Sequence, residues 1–227
     1  MFSNESQAMP RPMRAGSGGC AVSATAPSAP VRRAPWTLPT QGLAVFHGAC
    51  DTARLSHYFL PRLILSGQRV LVLDGANSAD PRLMARLARE RGMTFDAFSR
   101  QIQIARAFTC FQLTELTARL PRWVAEFPAK VLIVTALPEL YFDEDVRDGD
   151  AHAAFEQALR HLRRWATEQG AVAVFSSAVN FAPSAGRRSF FPRLAAAANE
   201  AWEFQVDENG RMTPGPLPRG SFPSLAQ

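Results

Sequence analysis

The sequence has few of the residues that build disulfide frameworks, metal sites or membrane spans. Its 227 residues include only three cysteines, Cys20, Cys50 and Cys110, and these share no disulfide or metal-ligand spacing. No apolar run approaches the ~18 residues of a transmembrane helix. The first residues also lack the apolar segment of a secretory signal. These absences predict a cytoplasmic protein with no membrane partner and no required metal or cofactor.

Lysine is almost absent, because Lys130 is the only one and arginine supplies the other basic residues. The net charge is +5, but residues 1–35 hold four of the 25 basic and one of the 20 acidic residues, which leaves 21 and 19 elsewhere. A body so close to neutral lacks the electrostatic footprint of a strong nucleic-acid binder.

Composition divides the chain into three parts. Residues 1–36 are rich in Ser, Pro, Gly and Ala and show no apolar periodicity, which predicts a disordered basic tail. Such a tail is either an electrostatic tether to phosphate or an inert extension. Residues 37–220 are predicted to form one core domain, and residues 221–227 a flexible C-terminus.

Apolar strands alternate with amphipathic helices through the core. Asp80 and Pro81 provide a helix N-cap and first turn, Gly92 a stop, and Pro121 a break in a later helical stripe. Alternating apolar residues around Asn209-Gly210 predict a terminal hairpin, which would add antiparallel strands at an edge of the sheet. The strands are predicted at 43–48, 69–75, 101–108, 130–137 and 171–179, and further helices from Thr52 and over 151–168. This order predicts an α/β fold with a mostly parallel central sheet flanked by helices and a C-terminal β-hairpin.

Five segments between Leu38 and Val179 resemble, in consistent order, the RecA superfamily, with the RadA-like recombinases as the nearest branch. The most specific are QIQIARAFT (101–109) and FEQALRHLRRWATEQGAVAVFSSAV (155–179). The others are LPTQGLAVFHG (38–48), the segment from Val70 to Met93, and KVLIVTALPELY (130–141). The resemblance implies a RecA-like P-loop NTPase fold and descent from an ATPase.

The residues that the resemblance would assign to catalysis are mostly replaced. The phosphate loop G-x-x-x-x-G-K-[ST] is matched by Gly48, but Ala53, Arg54 and Leu55 replace its second glycine, lysine and hydroxyl. The expected catalytic glutamate is Ala76, the magnesium-binding aspartate Thr135, and the nucleotide-sensing glutamine Ala178. ATP hydrolysis is therefore predicted to be absent or very slow. A remnant with weak ATP binding is predicted at Gly48, Asp51, Thr52, Ala53, Arg54 and Asp74, with no catalytic residue and no metal ligand.

Two loops correspond to the family's DNA-contacting loops. The first, 142–150, carries five acids against one arginine and would repel phosphate. The second, 180–193, combines basic and aromatic residues, which suits single-stranded DNA. Its candidate contacts are Arg187, Arg188, Phe190 and Arg193. In the alternative interpretation, Phe190 and Phe191 begin the last helix and pack in the core, with the arginines solvated. His57 and His161 are predicted to lie on helix surfaces.

The resemblance and these departures together predict a catalytically degenerate accessory or adaptor in DNA recombination or repair. It would act through protein–protein contacts with a RecA-like recombinase or another DNA-repair protein, with weak DNA binding as an addition. Three alternatives stay open: a divergent active ATPase that uses Arg54 and acids from 143–145, a recombinase paralogue that binds single-stranded DNA, and an ImuA-like mutasome accessory in translesion synthesis.

Overall fold

The computed structural model describes residues 38–48, 52–179, 182–206 and 212–217. The predicted tail (1–36), the C-terminus (221–227) and the Asn209-Gly210 turn lie outside these ranges. The strands are β1 (Gly42–Gly48), β2 (Val70–Asp74), β3 (Ile102–Arg106), β4 (Val131–Thr135), β5 (Ala171–Ser177), β6 (Glu200–Val206) and β7 (Met212–Pro216). The helices are α1 (Thr52–Leu65), α2 (Pro81–Glu90), α3 (Phe95–Ser99), α4 (Cys110–Ala118), α5 (Leu120–Glu126), α6 (Asp148–Glu168) and α7 (Phe190–Ala197). Short 3₁₀ turns lie at Glu139–Phe142 and Arg187–Ser189.

Within the described ranges, seven strands form one sheet in the order β3-β2-β4-β5-β1-β6-β7. The predicted α/β class and the mostly parallel, helix-flanked sheet are confirmed. β6 and β7 pair antiparallel, as the sequence predicts. However, β6 itself runs parallel to β1. The terminal pair therefore extends the parallel sheet by one strand before the direction reverses, instead of adding two antiparallel strands at its edge.

Helices cover both faces of the sheet, and each face has its own apolar core. Leu43 and Val45 pack on the side of α4, α6 and α7, whereas the alternate residues Ala44 and Phe46 pack on the side of α1 and α2. Phe46 stacks on Phe175 with ring centroids 4.9 Å apart. Burial on both faces explains why the central strands are continuous apolar runs and not alternating ones.

Local signals place the helix ends correctly. The Asp80 carboxylate caps α2 by accepting from the N–H groups of Arg82 and Leu83. The helical stripe after β3 is divided into α4 and α5, with Pro121 in the first turn of α5, where its missing N–H costs nothing. No helix in the described part of the chain is long and apolar enough to cross a membrane.

Candidate functional site

The carboxyl ends of four central strands meet at one edge of the sheet. β1 leads into α1 on one face, whereas its neighbour β5 and the next strand, β4, lead towards α7 and α6 on the other. Connections that leave neighbouring strands in opposite directions open a crevice, which is where ligands bind in open α/β sheets. We therefore expect a ligand-binding site at this edge of the sheet.

The residues predicted to form a phosphate-loop remnant lie where β1 leads into α1. Asp51 lies outside the described residues, whereas Thr52 and Ala53 are buried in the first turn of α1. A Cβ on Gly48 would lie 2.7 Å from the carbonyl oxygen of Phe204, so glycine is required here for the close approach of β6. This packing gives a structural reason for a glycine at position 48 that is independent of any phosphate.

Arg54, at the position where the resemblance predicts the phosphate-loop lysine, is engaged within the chain. Its guanidinium lies 3.2 Å from the carboxylate of Asp80 and is half exposed. An exposed pair of this kind is weak and exchanges readily with solvent. Arg54 therefore has a competing anion within reach that any bound phosphate would have to displace.

Asp74 ends β2 and organises the loop that follows. It is almost completely buried, and its two oxygens accept from the N–H groups of Ser78 and Ala79, both at 2.9 Å. The Thr135 hydroxyl donates to Asp74 Oδ1 at 3.1 Å and accepts from the N–H of Ala76. Threonine at position 135 thus ties β4 to β2. In the described part of the chain, no three His, Cys, Asp or Glu side chains converge to hold a metal ion.

His57 is buried, so the prediction that it lies on a helix surface is wrong. Its Nε2 accepts from the N–H of Asp80 at 3.2 Å, which places the ring proton on Nδ1, 3.0 Å from the carbonyl oxygen of Arg54. Burial lowers the pKa of His57. The neutral ring joins α1 to the start of α2 and helps to place Arg54 beside Asp80.

Glu139 lies in the 3₁₀ turn that follows β4. Between β4 and this turn lies Ala136, whose φ of 58° is rare for a residue with a side chain. Glu139 Oε1 accepts from the N–H of Ser177, and the Ser176 hydroxyl interacts favourably with the same carboxyl. Glu139 Oε2 is buried and has no hydrogen-bond partner among the described residues. Burial is the main reason that the pKa of Glu139 rises to about 7.

His47, next to last in β1, lies beside Ser176. Its Nδ1 lies 3.2 Å from the Ser176 hydroxyl oxygen, and its ring centroid lies 4.2 Å from that of Phe191. Burial lowers the pKa of His47 to about 4, against the raising influence of the Glu203 carboxylate. His47, Ser176 and Glu139 therefore connect the ends of β1, β5 and β4, and the two titratable groups are both uncharged between about pH 4 and 7.

Sequence reasoning did not find this chain of residues, because positions 47, 139 and 176 match no spaced motif. His47 and Ser176 lie near the ends of predicted strands, and Glu139 follows one. This position was the sequence signal that could have found them. Ser176 is only 1% exposed, so its hydroxyl is not presented to a substrate. The arrangement can share protons and fix the strand ends, but it does not form an accessible nucleophile.

The structure separates the four candidate DNA contacts. Arg187 is buried: its Nε donates to Asp148 at 2.7 Å and its other nitrogens to the carbonyls of Asp143 and Val146. Phe190 is fully buried at the start of α7, as the alternative interpretation holds. Neither side chain is presented at the surface. The alternative interpretation also predicts that the arginines are solvated, and for Arg187 this prediction is wrong.

The other two candidates are accessible. Arg188 is exposed, and Arg193 is half exposed with its guanidinium 2.8 Å from the carboxylate of Glu156. They lie on different elements, the 3₁₀ turn and α7. Arg188 and Arg193 therefore remain candidates for a phosphate contact. The buried ring of Phe190 is not available to stack on a base.

A different surface stands out at the outer edge of β3. β3 has no strand on its outer side among the described residues. Phe95 is 41% exposed and Ile104 is 38% exposed. We define the β3 surface as Phe95, Ile102 and Ile104. Beside β3 lies a cavity of about 270 Å³, whose apolar lining includes Met84, Phe95, Ile102 and Ile104. A monomer rarely leaves an open strand edge and large apolar side chains together.

Comparison of the sequence with protein-family models finds no matching family, and comparison with characterised proteins finds no significant match. The resemblance to the RecA superfamily therefore stays a prediction that rests on the quoted segments.

Proposed function

We propose that this protein is a catalytically degenerate RecA-like accessory in DNA recombination or repair, which binds a RecA-like recombinase or another DNA-repair protein. The partner adds a strand to the open edge of β3 and places an apolar side chain in the neighbouring cavity. The observation that carries the proposal is the outer edge of β3, which pairs with no strand among the described residues and lies beside the exposed side chains of the β3 surface.

The contrast between the two edge strands supports this site. β7, at the other edge, is five residues long and contains Pro214 and Pro216, which carry no N–H for a further strand. β3, with the sequence IQIAR, contains no proline and keeps every backbone N–H. Strand addition takes its affinity from main-chain hydrogen bonds and its specificity from pockets for alternate side chains, and the β3 edge has both elements.

The crevice at the strand ends supports a role other than ATP turnover. Arg54 pairs with Asp80, and the hydroxyl of Thr135 is bonded to Asp74 where the family resemblance implies a magnesium ligand. Phosphoryl transfer requires a positioned metal and a group that orients water. A mostly parallel sheet whose first strand leads into the phosphate-loop position agrees with the RecA-like P-loop fold that we propose for the chain.

Binding to the purified recombinase of the same cell, with either protein immobilised, tests the proposal. Ile104→Lys places a charge on the β3 surface and is expected to weaken binding at least about tenfold, since a desolvated interface charge costs more than 1.4 kcal/mol. Leu65→Lys is the matched control, because Leu65 is also exposed but lies at the end of α1. It is expected to bind like the unchanged protein.

Two results would contradict this function. One is a complex that forms equally well with Ile104→Lys, which would place the interface elsewhere. The other is no saturable binding to the recombinase or to a purified translesion-polymerase subunit, which represents the mutasome alternative. Salt-sensitive binding of single-stranded DNA alone would favour the paralogue alternative, with Arg188 and Arg193 as its contacts.

A further inference from the structure

Three arginines lie close together on the outward face of α6. The opposite face of this helix, which includes Phe155 and Leu162, packs in the apolar core. Arg160, Arg163 and Arg164 are exposed, and residues three or four positions apart lie on the same side of a helix. We call these three residues the α6 arginines. They place three positive charges within about 6 Å along the helix axis.

Two of the α6 arginines have no acidic partner among the described residues. Arg164 lies 2.9 Å from the carboxylate of Glu168. Similar pairs, between residues four positions apart, neutralise exposed arginines in other helical segments: Arg86–Glu90, Arg119–Glu115 and Arg122–Glu126. Arg160 and Arg163 make no such ion pair with any residue that the structure describes. Their charge is therefore available to a ligand.

A competing arginine explains why Arg160 lacks a partner on its own helix. Glu156 lies one turn before Arg160, but its carboxylate is 2.8 Å from the guanidinium of Arg193 on α7. One turn after Arg160 lies Arg164, and like charges at this spacing destabilise a helix. The folded protein thus holds repelling charges together, and a bound anion would relieve the repulsion.

The positive potential of this surface acts on a neighbouring histidine. His161 Nδ1 lies 3.0 Å from the Thr117 hydroxyl oxygen of α4. The pKa of His161 is lowered, first by burial and then by the charges of Arg160 and Arg164. The dipole of α6 does not explain these cations, because it favours positive charge in the last turn, where α6 has no basic residue. The α6 arginines therefore do not serve to complement the end of their own helix.

We propose that the α6 arginines bind the phosphate backbone of double-stranded DNA. Each guanidinium can donate two parallel N–H bonds to phosphate oxygens. Along α6, all of which the structure describes, no large apolar side chain is exposed. The outer face therefore has neither a platform on which unpaired bases stack nor an anchor for a peptide. The backbone of a duplex needs neither, and contacts to it carry no sequence information.

This DNA-binding surface is separate from the β3 surface. α6 packs on one face of the sheet, whereas Met84 of α2, which lines the cavity beside β3, packs on the other. The acidic first turn of α6, with Asp148 and Asp150, lies at least about 15 Å from Arg160 along the helix axis, which is more than a Debye length. That the bound polyanion is DNA rests on the proposed role in recombination or repair, whereas the attraction for phosphate rests on the α6 arginines alone.

Fluorescence anisotropy of a labelled duplex of about 20 base pairs, titrated with the full chain, tests this site. The near-neutral body of the protein predicts weak binding, with a Kd of about 10⁻⁴ to 10⁻⁶ M. The variant with Arg160→Gln, Arg163→Gln and Arg164→Gln loses three phosphate contacts. It should bind at least about tenfold more weakly. Between about 50 and 200 mM salt, its slope of log K against log salt concentration should be shallower by about 2.7.

A matched variant separates the position of the arginines from the net charge. Arg82, Arg86 and Arg89 are exposed on α2, on the other side of the sheet. Replacing all three by glutamine removes the same charge and should change duplex affinity by less than about twofold, because charges at this distance are screened. Glutamine and arginine have similar helix propensities, so circular dichroism should show that both variants are folded.

Two further measurements distinguish this site from the β3 surface. The variant without the α6 arginines should still bind the recombinase, and Ile104→Lys should still bind the duplex, so either proposal can fail alone. Four results would each overturn the proposal for α6. They are an unchanged affinity and salt slope in the α6 variant, an equal loss in the α2 variant, tighter binding of a single strand of the same length, and no saturable duplex binding by the unchanged protein.

Discussion

Replacing Glu139 by glutamine should change how the stability of the protein depends on pH. In the folded protein the pKa of Glu139 is raised from 4.5 to about 7. Between these values the folded state binds more protons than the unfolded state, so the free energy of unfolding falls as pH rises. The raised pKa corresponds to a loss of about 3 kcal/mol between pH 4.5 and 7.

His47 acts with the opposite sign. Its pKa is lowered from 6.5 to about 4, so the unfolded state binds more protons between these values. The free energy of unfolding therefore rises with pH across this interval, by about 3 kcal/mol. Where the two intervals overlap, the contributions of His47 and Glu139 largely cancel. A nearly flat profile in the unchanged protein would conceal two large, opposed titrations.

Single substitutions separate the two contributions. Relative to the unchanged protein, Glu139→Gln should gain about 3 kcal/mol of unfolding free energy between pH 4.5 and 7. His47→Gln should lose a similar amount between pH 4 and 6.5. Both variants keep a hydrogen-bonding side chain near Ser176, so the difference between each variant and the parent reports the charge and not the packing.

Urea unfolding followed by tryptophan fluorescence, in steps across this pH range, measures these differences. Subtracting the free energy of unfolding of the parent from that of each variant removes the contributions of the other titrating groups. A pH-independent difference for Glu139→Gln would refute the argument that its carboxyl is buried and unpaired. Nuclear magnetic resonance of the His47 ring supplies a second test, because a charged imidazole at about pH 5.5 would contradict the neutral chain.

Three further predictions concern the remnant and the core. ATP with magnesium should not be hydrolysed, and metal-dependent turnover would favour the active-ATPase alternative instead. ATP with magnesium should raise Tm by only about 1–2 °C in a thermal-shift assay, and Arg54→Ala should abolish this rise. Arg187→Ala should lower the free energy of unfolding by about 3 kcal/mol in urea, because it leaves buried carbonyls without donors, whereas an exposed DNA-binding arginine would show almost no loss. Gly170→Ala should cost about 3 kcal/mol in the same assay because its Cβ would lie 2.1 Å from the Lys130 carbonyl oxygen, and Gly149→Ala, with open space around it, is the control.

Periodicity and capping were sufficient to predict most of the architecture. Five strands, the Asp80 cap and the break near Pro121 are all encoded within a few neighbouring residues. α3 was missed because five residues are too short to show a helical period, although Thr94 caps it. The parallel pairing of β6 with β1 was also missed, since strand direction depends on the route of the chain between them.

The candidate site was less predictable because its residues are distant in sequence. Arg187 looks like a surface arginine in RRSFFPR, and only the folded chain brings Asp148 and the carbonyls of the preceding loop around it. His57 was assigned to a surface for the same reason. Glu139 follows a strand without any distinguishing spacing, and its unpaired oxygen becomes apparent only when β5 lies beside it.

The unequal edges of the sheet have a consequence for stoichiometry. Among the residues that the structure describes, β3 can accept a strand, whereas the two prolines of β7 oppose growth on the opposite side. Subunits that propagate a fibre through their sheets must be extendable in both directions. If the proposed partner adds its strand to β3, a molecule with a single acceptor edge should bind that partner one to one, and at the end of a growing polymer it should stop elongation.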